Sequence, residues 1–451
     1  MPAIDLSILI ISHLFPPNSG VGGRRVARFC QYLPEFGIRP IVLTVDEASC
    51  GVPDTSFQLS SDLQIERVRP RGSILDWYQR WTEAKVGLHP IPRQNDVPLD
   101  RQTDHFSRLR LHILNLLQFP DAACGWYRPA RRAAKRIISA FPIRAVLSSG
   151  PPWTSHAVAS SVSRERDLPW VADFRDAWVS DAWRKHAYDS RGIPAWRDKL
   201  DSWIEDRWVR QARLVVCTTS QHRDALLRAH SHVEQSRVIV IPNGFDSSDA
   251  EAVRLGSGHG PRCFLHAGSL IHGRRISVFC RAIESLLCSG RLKPDGARFK
   301  LMGSVESDIQ HEALSAAPGL FERGIVSFHP RVEWSRAQQI VREADVLLIF
   351  QGRHPTAIPA KFYEYMQTGK PIIAIAGNGA LRDIMLQTGS GFVADPDDRI
   401  EIESAIEQGL RAETRAPDEV RCAAKPFEFR TLAARLAAGI QKILGRDAME
   451  P

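Results

Sequence analysis

The chain has 451 residues, more than a single hydrophobic core usually supports, so we expect two domains of about 200 residues each. Its apolar and charged fractions, 43% and 24%, are those of an ordinary globular protein and exclude a disordered or fibrous chain. The net charge of +8 favours anionic partners, but it does not distinguish a nucleotide from an anionic membrane or a nucleic acid.

The sequence also predicts a compartment. No apolar run approaches the roughly 20 residues that span a bilayer, and the first residues, Met-Pro-Ala-Ile-Asp, lack the basic and apolar segments of a signal peptide. The eight cysteines are scattered without a CxxC pair, which is typical of reduced thiols. We therefore expect a cytoplasmic protein with no disulfide bond and no zinc site.

The first predicted unit is a strand, a glycine-rich loop and a helix. The apolar run 6–12 is followed by His13-Leu-Phe-Pro-Pro-Asn-Ser-Gly-Val-Gly-Gly, and a helical pattern begins near Arg24. This order is typical of the first unit of a Rossmann-like domain. Gly22 and Gly23 lack a Cβ and allow a ligand close to the backbone, although a tight turn would need glycine equally.

Apolar runs then alternate with helical patterns or loops. They predict the further strands of a parallel sheet covered on both faces, at 40–45, 63–68, 144–148, 169–173, 213–218 and 237–242.

The segment 70–136 breaks this alternation. It carries several tryptophans, a stretch at 108–119 that can form an amphipathic helix, and a basic cluster at 128–136. These features suit a surface for an anionic membrane, or an ordinary crossover helix with a solvated basic face.

Two loops at the carboxyl ends of predicted strands, 148–156 and 173–178, carry polar side chains. Ligands of open α/β sheets bind outside these ends, so both loops should face one crevice. Asp173, Arg175 and Asp176 suit either the binding of substrate hydroxyls or an ion-pair network among themselves. His156, at the end of the first loop, suits either a site or a packed core.

A polar, glycine-rich linker is predicted at 246–261, between an N-terminal domain at 1–245 and a second domain at 262–425. The second domain opens with a strand, a glycine turn and the pair Arg274 and Arg275, ahead of a helix from Ile276. Further strand patterns at 298–302, 324–328 and 345–350 complete a second Rossmann-like sheet, and a helical tail follows at 426–451.

The segment 354–376 is the most informative one. Its loop ends in Pro359, which suits the first turn of a helix, and an apolar run after the helix predicts a buried strand. Lys361 and Glu364 lie three residues apart and share a helix face. Next to the free amides of the helix start, one can meet a phosphate and the other can accept hydrogen bonds from sugar hydroxyls.

The pattern K-F-Y-E-Y-M-x-x-G-K-P-I-I-A in this segment resembles the C-terminal signature of retaining glycosyltransferases of family 4, which have the GT-B fold. The resemblance implies that Glu364 holds the ribose of a nucleotide-sugar. A second glutamate of the family, eight residues earlier, contacts the donor sugar, and here Thr356 takes its place. The D-F-R-D at Asp173–Asp176, between G-P-P-x-x-S-H and I-P-N-G-F-D, resembles a recurring subgroup of these enzymes.

The resemblance implies roles for the matching positions. Arg274 and Lys361 would stabilise the departing diphosphate, with Lys361 replacing a lysine that is absent from 277–280, and Asp173 and His156 would complete the catalytic set. The acceptor side would hold Arg24, Arg175 and Asp176. The donor would lie against Gly22, Gly23, Arg275, Arg331, Val332, Thr356, Ala357, Ile358 and Glu364.

The fold so implied is GT-B: two Rossmann-like domains face a central cleft, and the last helix crosses back to the first domain. The reaction is the transfer of a hexosyl group, with retention, from a UDP- or GDP-sugar to a glycan or lipid-linked acceptor in polysaccharide and cell-envelope synthesis. Fixed positive charge would replace a metal, no cofactor would be needed, and the inner face of the cell membrane is a further possible partner.

Two alternatives stay open at this stage. Thr356 in place of glutamate is compatible with a nucleotide-sugar epimerase or hydrolase, and also with a catalytically silent protein that binds a sugar nucleotide. Nucleic-acid binding is disfavoured because basic and aromatic residues do not interleave on a recognisable module.

Overall fold

The computed structural model of the chain describes residues 6–18, 21–50, 54, 57, 59–72, 118–180, 195–247, 260–271 and 274–447. Its strands form two sheets in which all neighbouring strands run parallel. Helices connect the strands and cover both faces of each sheet, which confirms the predicted α/β class.

The first sheet contains β1 (Leu6–Ile11), β2 (Ile38–Val45), β3 (Gln64–Val68), β4 (Ile143–Gly150), β5 (Trp170–Phe174), β6 (Leu214–Cys217) and β7 (Val238–Val240). Their order across the sheet is β3-β2-β1-β4-β5-β6-β7. The order reverses between β1 and β4, and the carboxyl ends at such a switch point form a binding crevice in open α/β sheets.

The second sheet contains β8 (Arg262–Ala267), β9 (Ala297–Met302), β10 (Val326–His329), β11 (Val346–Gly352), β12 (Ile372–Ala376) and β13 (Gly391–Ala394). Their order is β10-β9-β8-β11-β12-β13, with the corresponding switch point between β8 and β11.

The helices are α1 (Val21–Tyr32), α2 (Tyr127–Ala140), α3 (Thr154–Arg166), α4 (Ala195–Gln211), α5 (Ser220–Ala229), α6 (Ser277–Cys288), α7 (Ser307–Ala316), α8 (Pro318–Glu322), α9 (Trp334–Glu343), α10 (Ala360–Met366), α11 (Ala380–Thr388), α12 (Arg399–Arg411), α13 (Pro417–Ala424) and α14 (Phe429–Asp447). No helix in the described part of the chain is both long enough and apolar enough to cross a bilayer.

The apolar runs become strands because both faces of each sheet are buried. In β1, Leu9 and Ile11 join the core on one face, while Ile8 and Ile10 join the core on the other. Uninterrupted apolar sequence is the expected pattern for such strands.

The last helix returns to the first domain, as predicted. In α14, Leu432, Leu436 and Ile440 lie in one buried cluster with residues of β1 and α1. The rings of Phe29 and Phe429 meet edge to face at 5.9 Å between centroids.

The two passages of the chain between the domains lie side by side. Phe245 donates its N–H to the carbonyl of Phe427 at 3.2 Å, and Phe429 donates to the carbonyl of Phe245 at 2.9 Å. A Cβ on Gly244 would lie 2.2 Å from the Phe427 oxygen, so the close approach requires glycine here.

Arg25 on α1 is fully buried and holds three parts of the first domain together. It pairs with Asp173 at the end of β5, with Nη2 3.0 Å from Oδ1 and Nε 3.2 Å from Oδ2. It also donates to the carbonyls of Ile241 (2.9 Å) and Pro242 (2.6 Å) after β7. Burial by itself would raise the pKa of Asp173, but the charge of Arg25 and the hydrogen bonds from Arg25 and Ser149 lower it below its ordinary value.

Some details differ from the sequence predictions. Strand β13 was not predicted, because G-F-V-A at the sheet edge is too short to show a periodic pattern. Helix α10 is short: it ends at Met366, and Gly369 adopts φ +68° three residues later.

The structure describes part of the segment 70–136. The basic cluster forms α2, where Arg131 and Lys135 pair with Glu165 and Arg136 pairs with Glu66. Most of the predicted amphipathic helix at 108–119 lies outside the described residues, and residues 118 and 119 are not helical. Within the predicted linker, 248–259 also lies outside them.

We expect Arg25→Met to lower the free energy of unfolding by about 3–5 kcal/mol, because it leaves the carboxylate of Asp173 buried without its partner. Urea denaturation followed by circular dichroism measures the loss. The matched control is Arg132→Met on the exposed face of α2, which should change stability by no more than about 0.5 kcal/mol. Equal losses in both variants would show that the buried pair has no special role.

Candidate functional site

A cavity of about 900 Å³ lies between the two domains. Its first wall is formed by the loops that follow β1, β4 and β5. Its second wall is formed by the loops after β8, β9 and β11 and by α10. Both walls are therefore carboxyl ends of parallel strands, where the sequence placed the site.

Lys361 is a partly buried cation of the second wall. Its Nζ lies 3.3 Å from Nε2 of His266, whose Nδ1 is 3.0 Å from the carbonyl oxygen of Leu348. Since a carbonyl only accepts, Nδ1 carries the hydrogen, and Nε2 is then free to accept a hydrogen bond from the lysine.

Burial, together with the nearby charge of Arg274, lowers the pKa of Lys361 to about 7, and Glu364 only partly opposes this. Burial and the charge of Lys361 hold the pKa of His266 well below its ordinary value, so this ring stays neutral. The lysine therefore exchanges its proton close to neutral pH, and an anion in the cavity would favour the charged form.

Two glycines make room for Lys361. Gly268 follows β8 with φ +140°, and a Cβ there would lie 2.3 Å from Nζ of Lys361. Gly303 follows β9 with φ +141°, and its Cβ would meet the carbonyl oxygen of Gly268 at 2.3 Å. The ends of β8 and β9 thus allow the amine to lie directly against the backbone.

Arg274 and Arg275 separate, although they are adjacent. Arg274 lines the cavity, and burial lowers its pKa while Asp176 on the opposite wall raises it. The side chain of Arg275 is 73% exposed and lies 3.5 Å from Glu312 on α7. The predicted donor contact of Arg275 is therefore corrected: in an irregular segment the two side chains leave the backbone in different directions, and only Arg274 reaches the cavity.

Glu364 and Arg24 meet across the cleft. Nη1 of Arg24 lies 3.5 Å from Oε1 of Glu364, while Nε2 of Gln338 donates to Oε2 at 3.0 Å. The guanidinium of Arg24 also lies over the ring of Trp334, 5.2 Å from its centroid. Arg24 was predicted on the acceptor side, but α1 starts at the cleft and carries it to the wall of Glu364.

The first wall carries Arg175 and Asp176. Nη2 of Arg175 donates to the carbonyl of Pro151 at 2.6 Å, while Nη1 is buried without a hydrogen-bond partner among the described residues. A Cβ on Gly22 would lie 2.0 Å from this Nη1, which explains the glycine. Gly23 does not line the cavity, and its Cβ would press on the backbone of Phe15.

His156 and Asp173, predicted as catalytic, lie beneath the cavity and not in it. His156 is fully buried among aromatic rings, with Nδ1 2.9 Å from the hydroxyl of Ser148, and burial lowers its pKa to about 3. Asp173 is held by Arg25 as described above. We correct both predictions: neither residue lines the cavity, and both support its first wall from beneath.

The predicted donor residues Thr356, Ala357 and Ile358 all line the second wall. The hydroxyl of Thr219, in the first domain, donates to the carbonyl of Thr356, and Nε2 of Gln351 donates to the carbonyl of Ala357 at 3.2 Å. This loop is therefore held from both domains. Arg331 and Val332 line the same wall, close to Trp334.

Several lining residues were missed from the sequence. Trp153 and Trp178 stack at 5.1 Å and 21° on the first wall, and Asp121 accepts hydrogen bonds there from the amide (2.9 Å) and hydroxyl (2.7 Å) of Thr154. Gln351, the penultimate residue of β11, lines the second wall. Their location in the sequence is the one available indication, since each lies close to the end of a strand or the start of a helix.

The chain matches two family models. Residues 20–244 match the family described as glycosyl transferase 4-like domain, and residues 261–412 match glycosyl transferases group 1. No curated protein matches the chain.

Solved structures match along nearly the whole chain. Sucrose-phosphate synthase from Thermosynechococcus elongatus superposes with TM-score 0.67 and 15% identity, over 98% of this chain and 100% of that one. A glycosyltransferase from Rickettsia africae ESF-5 gives 0.60 and 12%, over 97% and 98%. HepE of Anabaena, in complex with UDP and glucose, gives 0.59 and 14%, over 97% and 100%. At these identities the likeness concerns the fold, and it confirms the predicted GT-B architecture.

We expect Gly268→Ala to weaken the binding of inorganic pyrophosphate by about tenfold or more, because the new methyl group displaces the ammonium of Lys361. Isothermal titration calorimetry measures the affinity. Gly260→Ala is the matched control, since Gly260 has φ +142° and no atom of the described residues lies within 4 Å of its Cβ. Both variants carry the same backbone strain, so an equal change in affinity would mean that the contact with Lys361 is unimportant.

Proposed function

Because the chain belongs to the glycosyltransferases with the GT-B fold, we propose that it transfers a hexosyl group from a nucleoside-diphosphate sugar to a glycan or lipid-linked acceptor, with retention of configuration. We place it with family 4 and with the subgroup that carries D-F-R-D. The observation that carries the proposal is the second wall, where the partly buried cations Lys361 and Arg274 and the carboxylate of Glu364 line one cavity.

In the proposed reaction the diphosphate lies against Lys361 and Arg274. The bond between the anomeric carbon and the phosphate oxygen breaks, and its electron pair stays on the diphosphate. The acceptor hydroxyl forms the new bond on the same face of the sugar and passes its proton to the departing phosphate oxygen. Fixed charges aimed at the growing negative charge are often a large catalytic contribution, and the loss of one costs about 3 kcal/mol.

Glu364 supplies the ribose contact in this proposal. Its Oε1 faces Arg24 and its Oε2 is fixed by Gln338, so the carboxylate is oriented before the ligand arrives. Two ribose hydroxyls can donate to such a carboxylate.

The acceptor approaches from the first wall. Arg175 and Asp176 supply polar contacts there, and the stacked, largely buried rings of Trp153 and Trp178 support this wall. We propose that this reaction takes place in the cytoplasm, on acceptors for cell-envelope polysaccharide at the inner face of the membrane.

We propose UDP as the nucleotide to test first and a reaction without metal. HepE of Anabaena, which shares the fold, was crystallised with UDP and glucose, which supports this order of testing. Lys361 and Arg274, both partly buried, supply positive charge where other enzymes use a metal ion.

The proposal is tested first by thermal denaturation with UDP, GDP and their sugar conjugates, with magnesium or with EDTA. A ligand at about 100 times its dissociation constant adds about 2.7 kcal/mol to the free energy of unfolding, and the melt shifts upward. We expect one base to stabilise the protein in EDTA, and Glu364→Ala to lose that shift, whereas the control Glu322→Ala, at an exposed position, keeps it.

The other functions predict other outcomes. If a sugar nucleotide stabilises the protein but no acceptor leads to release of the nucleotide diphosphate, the protein is a silent binding protein. An epimer of the donor sugar in the proton NMR spectrum indicates an epimerase. Absence of a shift with every nucleotide contradicts the proposal.

A second prediction concerns pH. With a pKa of about 7, the charged fraction of Lys361 falls as pH rises, so the dissociation constant for UDP-glucose should increase about tenfold between pH 6 and pH 8. The diphosphate of UDP-glucose does not titrate in this interval, and His266 stays neutral. Lys361→Met should bind weakly at all these pH values, whereas Lys293→Met, at an exposed position, should keep the pH dependence. Equal slopes in all three proteins would exclude Lys361 as the titrating group.

A further inference from the structure

Gln351 lines the cavity and carries a buried side-chain oxygen. It is the penultimate residue of β11, its side chain lines the second wall, and only 3% of the residue is exposed. Its Oε1 is buried and has no hydrogen-bond partner among the residues that the structure describes. Leaving a buried acceptor unsatisfied costs about 1–3 kcal/mol, so such an atom in a binding cavity calls for a partner.

The orientation of the amide is fixed by its neighbour. Nε2 donates to the carbonyl oxygen of Ala357 at 3.2 Å, and the reversed amide would bring two oxygens together. The neighbouring carbonyl, that of Thr356, is held by the hydroxyl of Thr219 from the other domain. Oε1 is therefore an acceptor in a set position.

The chemistry of this atom restricts what it can bind. A neutral carbonyl oxygen takes a hydroxyl or an N–H group, and it repels phosphate and carboxylate oxygens. The anion sites of the wall lie elsewhere, at Lys361 and Arg274. Lys361 contacts His266, and His266 in turn contacts the carbonyl oxygen of Leu348 on β11. Leu348 lies three residues before Gln351, which is roughly 10 Å along the strand. A hexose attached to a diphosphate at Lys361 is long enough to bring a hydroxyl group to this oxygen.

We propose that Oε1 of Gln351 accepts a hydrogen bond from one ring hydroxyl of the donor sugar and that Gln351 thereby selects the sugar. The proposal rests on the proposed function. It also assigns a polar sugar contact to a wall where Thr356 supplies no carboxylate.

The test measures dissociation constants by calorimetry for UDP, for UDP-glucose and for UDP-glucose analogues that lack the 2-, 3-, 4- or 6-hydroxyl, with GDP-mannose and its deoxy analogues if the protein prefers GDP. In the unmodified protein, removal of one particular hydroxyl should weaken binding about tenfold, the value of one buried hydrogen bond. If every deoxy analogue binds as tightly as its parent, the proposal is overturned without any variant.

Gln351→Met keeps the length of the side chain and removes the acceptor. It should weaken the binding of the parent sugar nucleotide about tenfold, leave UDP binding within about twofold, and show no further loss for the sensitive deoxy analogue. Gln310→Met, at an exposed position on α7, is the matched control.

A loss of UDP and UDP-sugar binding in equal measure would show that Gln351 only holds the loop at Ala357, and it would overturn the inference while the donor site stands. If the unmodified protein binds no sugar nucleotide at all, the proposed function fails and the inference fails with it.

Discussion

The buried ion pair between Arg25 and Asp173 fixes the first wall of the cavity. It joins α1, the end of β5 and the chain after β7, all inside the protein. Consecutive residues of a helix project about 100° apart, so burying Arg25 turns Arg24 towards the cleft. Asp173 in the same way anchors the strand end from which Arg175 reaches the cavity. Both guanidinium groups on this wall thus depend on a pair that does not reach the ligand.

The sequence predicted the fold well and the site in part. Continuous apolar runs followed by polar loops are a strong signal for parallel strands, and the cavity lies at the ends of these strands. The direction of single side chains gives no such signal. Arg24 and Arg25 are adjacent, as are Arg274 and Arg275. In each pair the sequence does not distinguish the side chain that faces the cleft from the one that is buried or exposed elsewhere. His156 follows a polar loop and still packs in the core, because neighbouring aromatic residues enclose it.

The two buried clusters of charge serve opposite purposes. The pair of Arg25 and Asp173 is satisfied internally and stabilises one arrangement of the first domain. Lys361 and Arg274 are both partly buried cations, and desolvation lowers the pKa of each. Two partly desolvated charges of the same sign lower the stability of the second wall, and a bound anion would offset that loss. Functional sites commonly show this trade-off between stability and binding.

The position of α14 has a consequence for folding during synthesis on the ribosome. The helix is synthesised after the whole second sheet, yet Leu432, Leu436 and Ile440 complete a core that begins with β1. At ordinary translation rates the first domain waits on the order of ten seconds or more for this helix. During that interval part of its apolar surface is open to solvent. Chaperones that cover the first domain would protect the nascent chain from aggregation during this interval. A ribosome that stalls within the second domain would leave an aggregation-prone intermediate.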